Sequence, residues 1–378
     1  MKRFSLIVLF FISLPVSMQS QSLWSKFLLW VKEGNSFDST YIYQRPAGFQ
    51  LSADASAQLF SSKLTSEFNV KHSTTDEGGN TVNKKVPAST TTSFSDNVNG
   101  GLGVGFAYGK LGLSIGVLTL PKAYKNSSLN FNLGYQGNKW GINAYVNGFE
   151  HYAKSSLTLG TEGSDLYKHR EWQSKYPCTV VRMGADAYWI INRRCFSYTS
   201  AYKCDMVQRR SKGSVLICAS LVLNGVSCEE GDTLLTSPGY KGYSNFINSV
   251  GAGYSHNFVL KHHDATGPKN EGLFNITLNL TIMPMLTYSS HIYAEPMEGD
   301  EINIASMVTP NAFGLAAMGF SVGQWYFSLQ YRHNFYYFHS AMDMEASDLG
   351  LDDNDISDMN VSGIMQNWKL MSMAVFNF

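Results

Sequence analysis

The chain is short of charge. Only 15% of its 378 residues are Asp, Glu, Lys or Arg, against roughly a quarter in an ordinary soluble domain, and 29 basic residues balance 29 acidic ones. That balance removes the electrostatic case for nucleic acid, which is held first by excess positive charge. Long apolar runs are missing too. After the first twenty residues no stretch reaches the ~18 consecutive apolar positions of a transmembrane helix, and mean hydropathy is -0.14. Cysteine is scarce, and Cys178, Cys195, Cys204, Cys218 and Cys228 show neither a CxxC nor a His-linked spacing, so no metal framework is indicated. Facing strands could pair some of them; otherwise they pack as isolated small groups. Phosphate-binding glycine loops are absent, because Gly101 to Gly105 alternates as strand glycines do and does not open a helix. No cofactor or metal is expected.

What is abundant is aromatic residues and glycine: 21 Tyr, 23 Phe, 7 Trp and 33 Gly. Aromatics need burial or an interface, and a membrane β-barrel reconciles that need with low hydropathy, since half of each strand faces a polar lumen. Lys2 and Arg3, the apolar run Phe4 to Val16 and the small residues up to Ser20 read as a secretory signal peptide. Residues 21–47 read as a periplasmic segment, with Leu23, Phe27, Trp30 and Val31 at the spacing of a short amphipathic helix. Residues 48–378 read as the barrel.

Period-two alternation carries that reading. Leu102, Val104, Phe106 and Tyr108 alternate with Gly101, Gly103 and Gly105, turn at Gly109-Lys110, and return as Leu111, Leu113, Ile115 and Val117. Leu129 to Tyr135, a turn at Gly137-Asn138, and Trp140 to Val146 repeat the pattern, and two-residue glycine turns between alternating runs are strong hairpin signals. The inward Asn, Gly and Ser suit a wet lumen. Inward glycines either leave room for a plug or allow curvature. Thr74 to Thr92 and His151 to Pro177 read as loops, and Phe196 to Val207 reads as a strand after an Asn192-Arg193-Arg194 turn. Later strands fall at Val215 to Leu223, Phe246 to Phe258, Phe274 to Ile282, Phe313 to Phe320 and Trp325 to His339. The acidic stretch Asp343 to Asp358 reads as a solvated loop with at most weak divalent binding. The expected fold is thus all-β, an antiparallel transmembrane barrel of about fourteen strands, with twelve as the next choice. Turn parity clashes between Asn192 and Gly323, so one strand is misread, either between Arg209 and Gly272 or near Ser61.

Trp368 to Phe378 places Trp368, Leu370, Phe376 and Phe378 on one face, the expected lipid face and the signal read by barrel-assembly machinery. Expected partners are therefore that machinery, the lipid bilayer, lipopolysaccharide and a small-molecule solute. By alternation Arg182, Asp186, Lys203, Asp205, Gln330 and Arg332 face the lumen. They form either a charged constriction that selects solutes or a salt-bridged network that fills a small barrel. His262-His263-Asp264 offers metal-type ligands on a turn. Ser289-Ser290-His291, and His333 with Ser328, offer hydrolase residue types without a nucleophile-elbow pattern.

Asn192-Arg193-Arg194-Cys195-Phe196-Ser197-Tyr198, followed by Gln208-Arg209-Arg210-Ser211-Lys212-Gly213-Ser214, resembles a family of uncharacterised Bacteroidetes outer-membrane proteins, a domain of unknown function. That family carries N-x-(R/K)-F-S-Y before Q-(R/K)-(R/K)-S-x-G-S, and an Asp-Thr-x-Tyr-(Ile/Val) element near its start. Here that element stands as Asp38-Ser39-Thr40-Tyr41-Ile42, and Cys195 precedes Phe196. The resemblance implies a barrel and outer-membrane location, and brings no activity. The functional expectation is an envelope structural protein or a narrow pore for small solutes or lipids, not an enzyme. The alternatives are an outer-membrane lipid-modifying hydrolase and a secreted β-sandwich binding module.

Overall fold

The computed structural model describes residues 37–45, 48–75, 81–94, 98–119, 128–174, 178–227, 240–265, 271–296, 302–306, 308–342 and 356–378. The signal peptide, the Leu23 to Val31 helix and nearly all of the acidic stretch lie outside the described residues. Eighteen strands run through the rest. They begin with β1 (Ile42–Gln44), β2 (Phe49–Thr75), β3 (Thr81–Phe94), β4 (Asn99–Tyr108), β5 (Leu111–Thr119) and β6 (Ser128–Gln136). The middle of the chain supplies β7 (Trp140–His151), β8 (Ala153–Leu159), β9 (Lys168–Gln173), β10 (Cys178–Ile190), β11 (Met206–Gln208) and β12 (Lys212–Ser227). The last are β13 (Tyr240–His263), β14 (Phe274–Pro296), β15 (Ile302–Ser306), β16 (Thr309–Val322), β17 (Trp325–Met342) and β18 (Ile356–Asn377).

Twelve of these close a ring in the order β2-β4-β5-β6-β7-β10-β12-β13-β14-β16-β17-β18, with β18 pairing back onto β2. Every ring pairing is antiparallel. The closing register runs unbroken from Asn377 opposite Gln50 to Asn360 opposite Glu67, and past a shift to Ile356 opposite Val70. One sheet closed on itself has no free edge, and this is a different architecture from two stacked sheets. β3, β8 and β9 extend the ring at its long-loop end, where β3 takes the second half of the β2 edge that β4 holds below and pairs across to β8. The segments Thr74 to Thr92 and His151 to Pro177, read as loops from their polarity, thus carry β3, β8 and β9. Threonine-rich β3 is polar because it belongs to the extension.

The ring has twelve strands, not fourteen, for two reasons: β2 runs unbroken through Ser61, where a break would make two strands, and Phe196 to Val207 is not a wall strand. That stretch folds into the lumen, so the whole run from Ile191 to Ser211 is a single connection between β10 and β12. The parity conflict disappears with it. The turns at Gly109, Gly137, Ile191 to Ser211, Gly272 and Gly323 now all share one end of the ring. Two of them are two-residue hairpins whose glycines stand at φ 57° (Gly109) and φ 54° (Gly323), backbone that a β-carbon would resist.

Alternation sorts the two faces. On β14, Leu280, Ile282 and Leu286 are exposed on the outside, while Asn275, Thr277, Asn279 and Thr281 on the inside are at most 2% exposed. Exposed apolar side chains recur on other strands, among them Leu102, Phe106, Ile217, Val250, Phe327 and Leu370. Towards the short-turn end the outer face becomes aromatic, with Phe49 against Tyr108 (5.0 Å), Phe274 against Phe320 (5.3 Å) and Trp325 against Phe376 (4.9 Å). Inside, glycines on one strand receive aromatic rings from the next. A β-carbon on Gly141 would lie 2.5 Å from the ring of Tyr188, its register partner, and one on Gly184 would meet Tyr145.

Candidate functional site

The inward connection is the centre of the site. Residues 196–208 are buried except for the half-buried Lys203. Consecutive turns build the segment: Cys195 N and Phe196 N donate to Asn192 O, and Tyr202 N and Lys203 N to Thr199 O. Ser200 Oγ donates to Ser197 O, and Thr199 Oγ1 to Asp205 Oδ1. Short Ser, Thr and Asp side chains bonding to their own neighbourhood favour turns over a ladder, which is why an alternating, aromatic-rich run is not a strand here.

Two kinds of contact seat the segment. Phe196, Tyr198, Ala201 and Tyr202 pack with Ile190, Leu216, Cys218, Met283, Met285, Leu315 and Ala317 in an apolar core inside the barrel. Burying a side chain of that size contributes about 1.5–3 kcal/mol. Ala201 sits so close to β16 that a β-carbon on Gly319 would be 3.0 Å from its Cα. The second contact is polar and centres on Gln208, which is fully buried. Its Nε2 donates to Cys195 O (2.8 Å), Arg210 O (3.0 Å) and Tyr41 O (3.3 Å), and its Oε1 accepts from Ser197 N (2.9 Å) and Asn257 Nδ2 (3.2 Å). Asn257 also reaches Ser197 O and Ser200 Oγ, and Asn275 Nδ2 donates to Gln208 O. The inward Asn257 of β13 and Asn275 of β14 are thus the polar seat of the plug.

The chain's first described residues join the plug. β1 pairs with β11, Ile42 opposite Gln208, and Arg45 donates from N to Asp205 O and from NH1 to Gly323 O. Asp38 opens this segment with a local turn, accepting from Thr40 N and Thr40 Oγ1, and those bonds hold its carboxyl below the usual range. Asp38 N donates to Arg194 O. Both halves of the Asn192 to Ser214 motif and the Asp38 element therefore meet at one place. Arg209 secures the outer side, with NH2 2.7 Å from Asp264 Oδ1. The bond from His262 and the nearby Arg209 keep the Asp264 carboxyl below its ordinary value.

The six residues expected in the lumen arrive by two routes. Arg182, Asp186, Gln330 and Arg332 project from the wall; Lys203 and Asp205 come from the plug. Arg182 donates to Tyr336 Oη (2.9 Å) and lies over the rings of Tyr336 and Tyr145. Asp186 accepts from Ser220 Oγ at 2.6 Å. Gln330 Nε2 donates to Tyr202 O (3.2 Å), and Arg332 NH2 donates to Gln330 Oε1 while its guanidinium lies 5.7 Å from the Tyr202 ring. Lys203 Nζ has a long contact of 3.4 Å to Lys110 O. Among the described residues no ion pair joins these six. Above the plug lie two adjoining cavities, of about 180 and 100 Å³, both bounded by Tyr202 and Arg332; Lys203 and Gln330 line the larger and Asp186 the smaller, while Arg182 and Asp205 line neither. Asp54 and Lys369 line the larger one. Neither was singled out by the sequence reading, although Lys369 falls in the inward register of the last strand.

Trp368, Leu370, Phe376 and Phe378 all lie on the outer face of β18 or just beyond it; Trp368 stacks on His333 at 4.0 Å and Phe376 meets Phe378 at 4.8 Å. His333 is thereby on the outside and Ser328 on the inside of β17, so the proposed Ser-His pair is not assembled. The side chains of Ser289, Ser290 and His291 lie outside the described residues. His262 bonds Asp264 at 2.9 Å while His263 lies beside the Phe274 ring at 6.2 Å, so the adjacent histidines diverge. Cys178 is disulfide-bonded, and Cys195, Cys204 and Cys218 are free thiols.

Residues 37–349 match the family described as Domain of unknown function (DUF4421). The chain belongs to that family. The DUF4421 match takes in the Asp38 element, the plug and every ring strand up to β17. No curated protein matches the chain. Among solved structures, the outer membrane protease OmpT from Escherichia coli aligns at 10% identity and a TM-score of 0.38, over 92% of this chain and all of that one. The translocator domain of the autotransporter NalP from Neisseria meningitidis aligns at 11% identity and 0.29, over 88% and 90%. A TodX monoaromatic hydrocarbon channel mutant aligns at 10% and 0.23, over 88% and 91%. Likenesses this distant carry no argument about activity, and the ring stands on its own strand pairing.

Proposed function

We propose that this DUF4421 chain is an outer-membrane barrel acting as a gated narrow pore, whose lumen holds a small compartment closed on the periplasmic side by residues 196–208. The apolar, aromatic-edged outer face supports the membrane placement, because soluble proteins rarely carry apolar surface of that extent. The observation that carries the pore reading is the plug. A barrel that served only as a rigid envelope element would gain most from a lumen packed through, as small barrels are, whereas here a segment closes one end and leaves cavities above it. Planar-bilayer recordings test this. The native chain should be silent, and a variant with residues 197–205 replaced by a Gly-Ser tether of equal length should conduct, provided heat-modifiable gel mobility shows an intact barrel. An intact tether variant that stays silent would end the pore reading.

A further inference from the structure

We propose that the larger lumen cavity is a binding site for a small oxyanion, a phosphate or a dicarboxylate, held between Arg332, Lys369 and Lys203. This rests on the pore reading above and adds the sign and class of the solute. Arg332 on β17 and Lys369 on β18 are register partners, and both line the cavity. Directly opposed residues on one face have β-carbons about 4.5–5.5 Å apart, and like charges so placed destabilise a sheet. A wall built only to be filled would set a carboxylate opposite Arg332. Instead a second cation stands there, and Lys203 joins them from the plug. Asp54 is the cavity's one lining carboxylate, and the buried Asp205 stands beside Lys203 on the plug, so three cations against two carboxylates leave an excess of one positive charge. Asp186 borders the adjoining cavity, where it accepts from Ser220, and Arg182 is turned to Tyr336 and Tyr145.

Uncompensated charge in an enclosed space is costly and is relieved by a bound counter-charge. Arg332 Nε is buried without a partner, and so is Gln136 Oε1, a lining acceptor. An oxyanion in the cavity supplies acceptors to the lysine and guanidinium donors that line it. The 180 Å³ volume corresponds to roughly six waters at about 30 Å³ each. That is ample for phosphate or a four-carbon diacid.

The test is titration calorimetry of the folded, full-length protein in detergent at fixed ionic strength, with sodium phosphate, sodium succinate and glucose as separate probes. Saturable binding of phosphate or succinate, and none of glucose, is expected. Lys369→Met and Arg332→Gln should each weaken it about tenfold or more, while Asp54→Asn, which removes the one lining carboxylate, should tighten it. The proposal is overturned if neither anion binds, or if both charge-removing variants, with native gel mobility, bind as the native chain does. Failure here is separable from failure of the pore. A tether variant that conducts while the native chain binds neither anion sinks the site alone. Phosphate binding by a barrel whose tether variant is silent sinks the pore alone.

Discussion

Gln208 shows how much one side chain can hold. Replacing it with Leu leaves three carbonyls and an N–H without their partner, and each buried unsatisfied group costs about 1–3 kcal/mol. Even one such penalty of about 3 kcal/mol shifts local opening by about a hundredfold. Hydrogen exchange over 196–208 should accelerate by at least about that factor in Gln208→Leu, with the strands of the ring unchanged. Asp264 gives a pH signature. Its folded carboxyl lies below the ordinary value, so its bridge to Arg209 is fully present above the unfolded value near 3.9 and is lost as pH falls through the lower folded one. Acidification below about pH 4 should free the Arg209 side of the plug, as read by exchange of residues 209–211, and Asp264→Asn should show that looser state already at pH 7. The sequence carried Gln208 inside a recognisable motif, but its role depends on Asn257 and Tyr41, which are remote in the chain. Lys369 was legible as inward-facing. Its conflict with Arg332 was not, because a strand's partner and register are not written in its own alternation.

At the scale of elements, hairpins were legible where turn chemistry and alternation agreed, as at β4-β5 and β16-β17. They were not legible where polarity came from a different cause. β3 is polar because it sits in the extension beyond the ring, and Phe196 to Val207 alternates although it is buried on all sides. The plug's fit gives a direct check at β16. A side chain at Gly319 would press on Ala201 and on Tyr326 Oη, and overpacking of this kind costs about 1–3 kcal/mol. Gly319→Val should expose 196–208 to limited proteolysis while the barrel keeps its gel mobility. Gly314, on the same strand, has nothing within 4 Å of a β-carbon, and Gly314→Ala should leave the plug protected.

For the molecule as a whole, ring closure between β18 and β2 is the decisive feature. Ala374 and Ala53 are register partners on the outer face, so the pair Ala374→Cys and Ala53→Cys should cross-link under mild oxidation, and the cross-linked chain should resist the heat shift in gel mobility. A one-residue displacement, Ala374→Cys with Ser52→Cys, should not cross-link, because adjacent residues on a strand point to opposite faces. Barrel class was readable from composition and alternation together. Strand number was not, since it turned on whether Phe196 to Val207 lay in the wall or inside it and on whether the chain broke at Ser61 or ran through it as one strand.

The plug also fixes an order of events. Its own residues come from the middle of the chain, yet its seat is assembled from Tyr41 and Arg45 near one end, Asn257 and Asn275 on β13 and β14, and Gly319 and Gln330 on β16 and β17. Segments this distant in sequence come together late, since long loops must close first. If the barrel is the proposed pore, its nascent form is therefore open through the lumen until the final strands arrive, and the step that closes the ring is also the step that seals it.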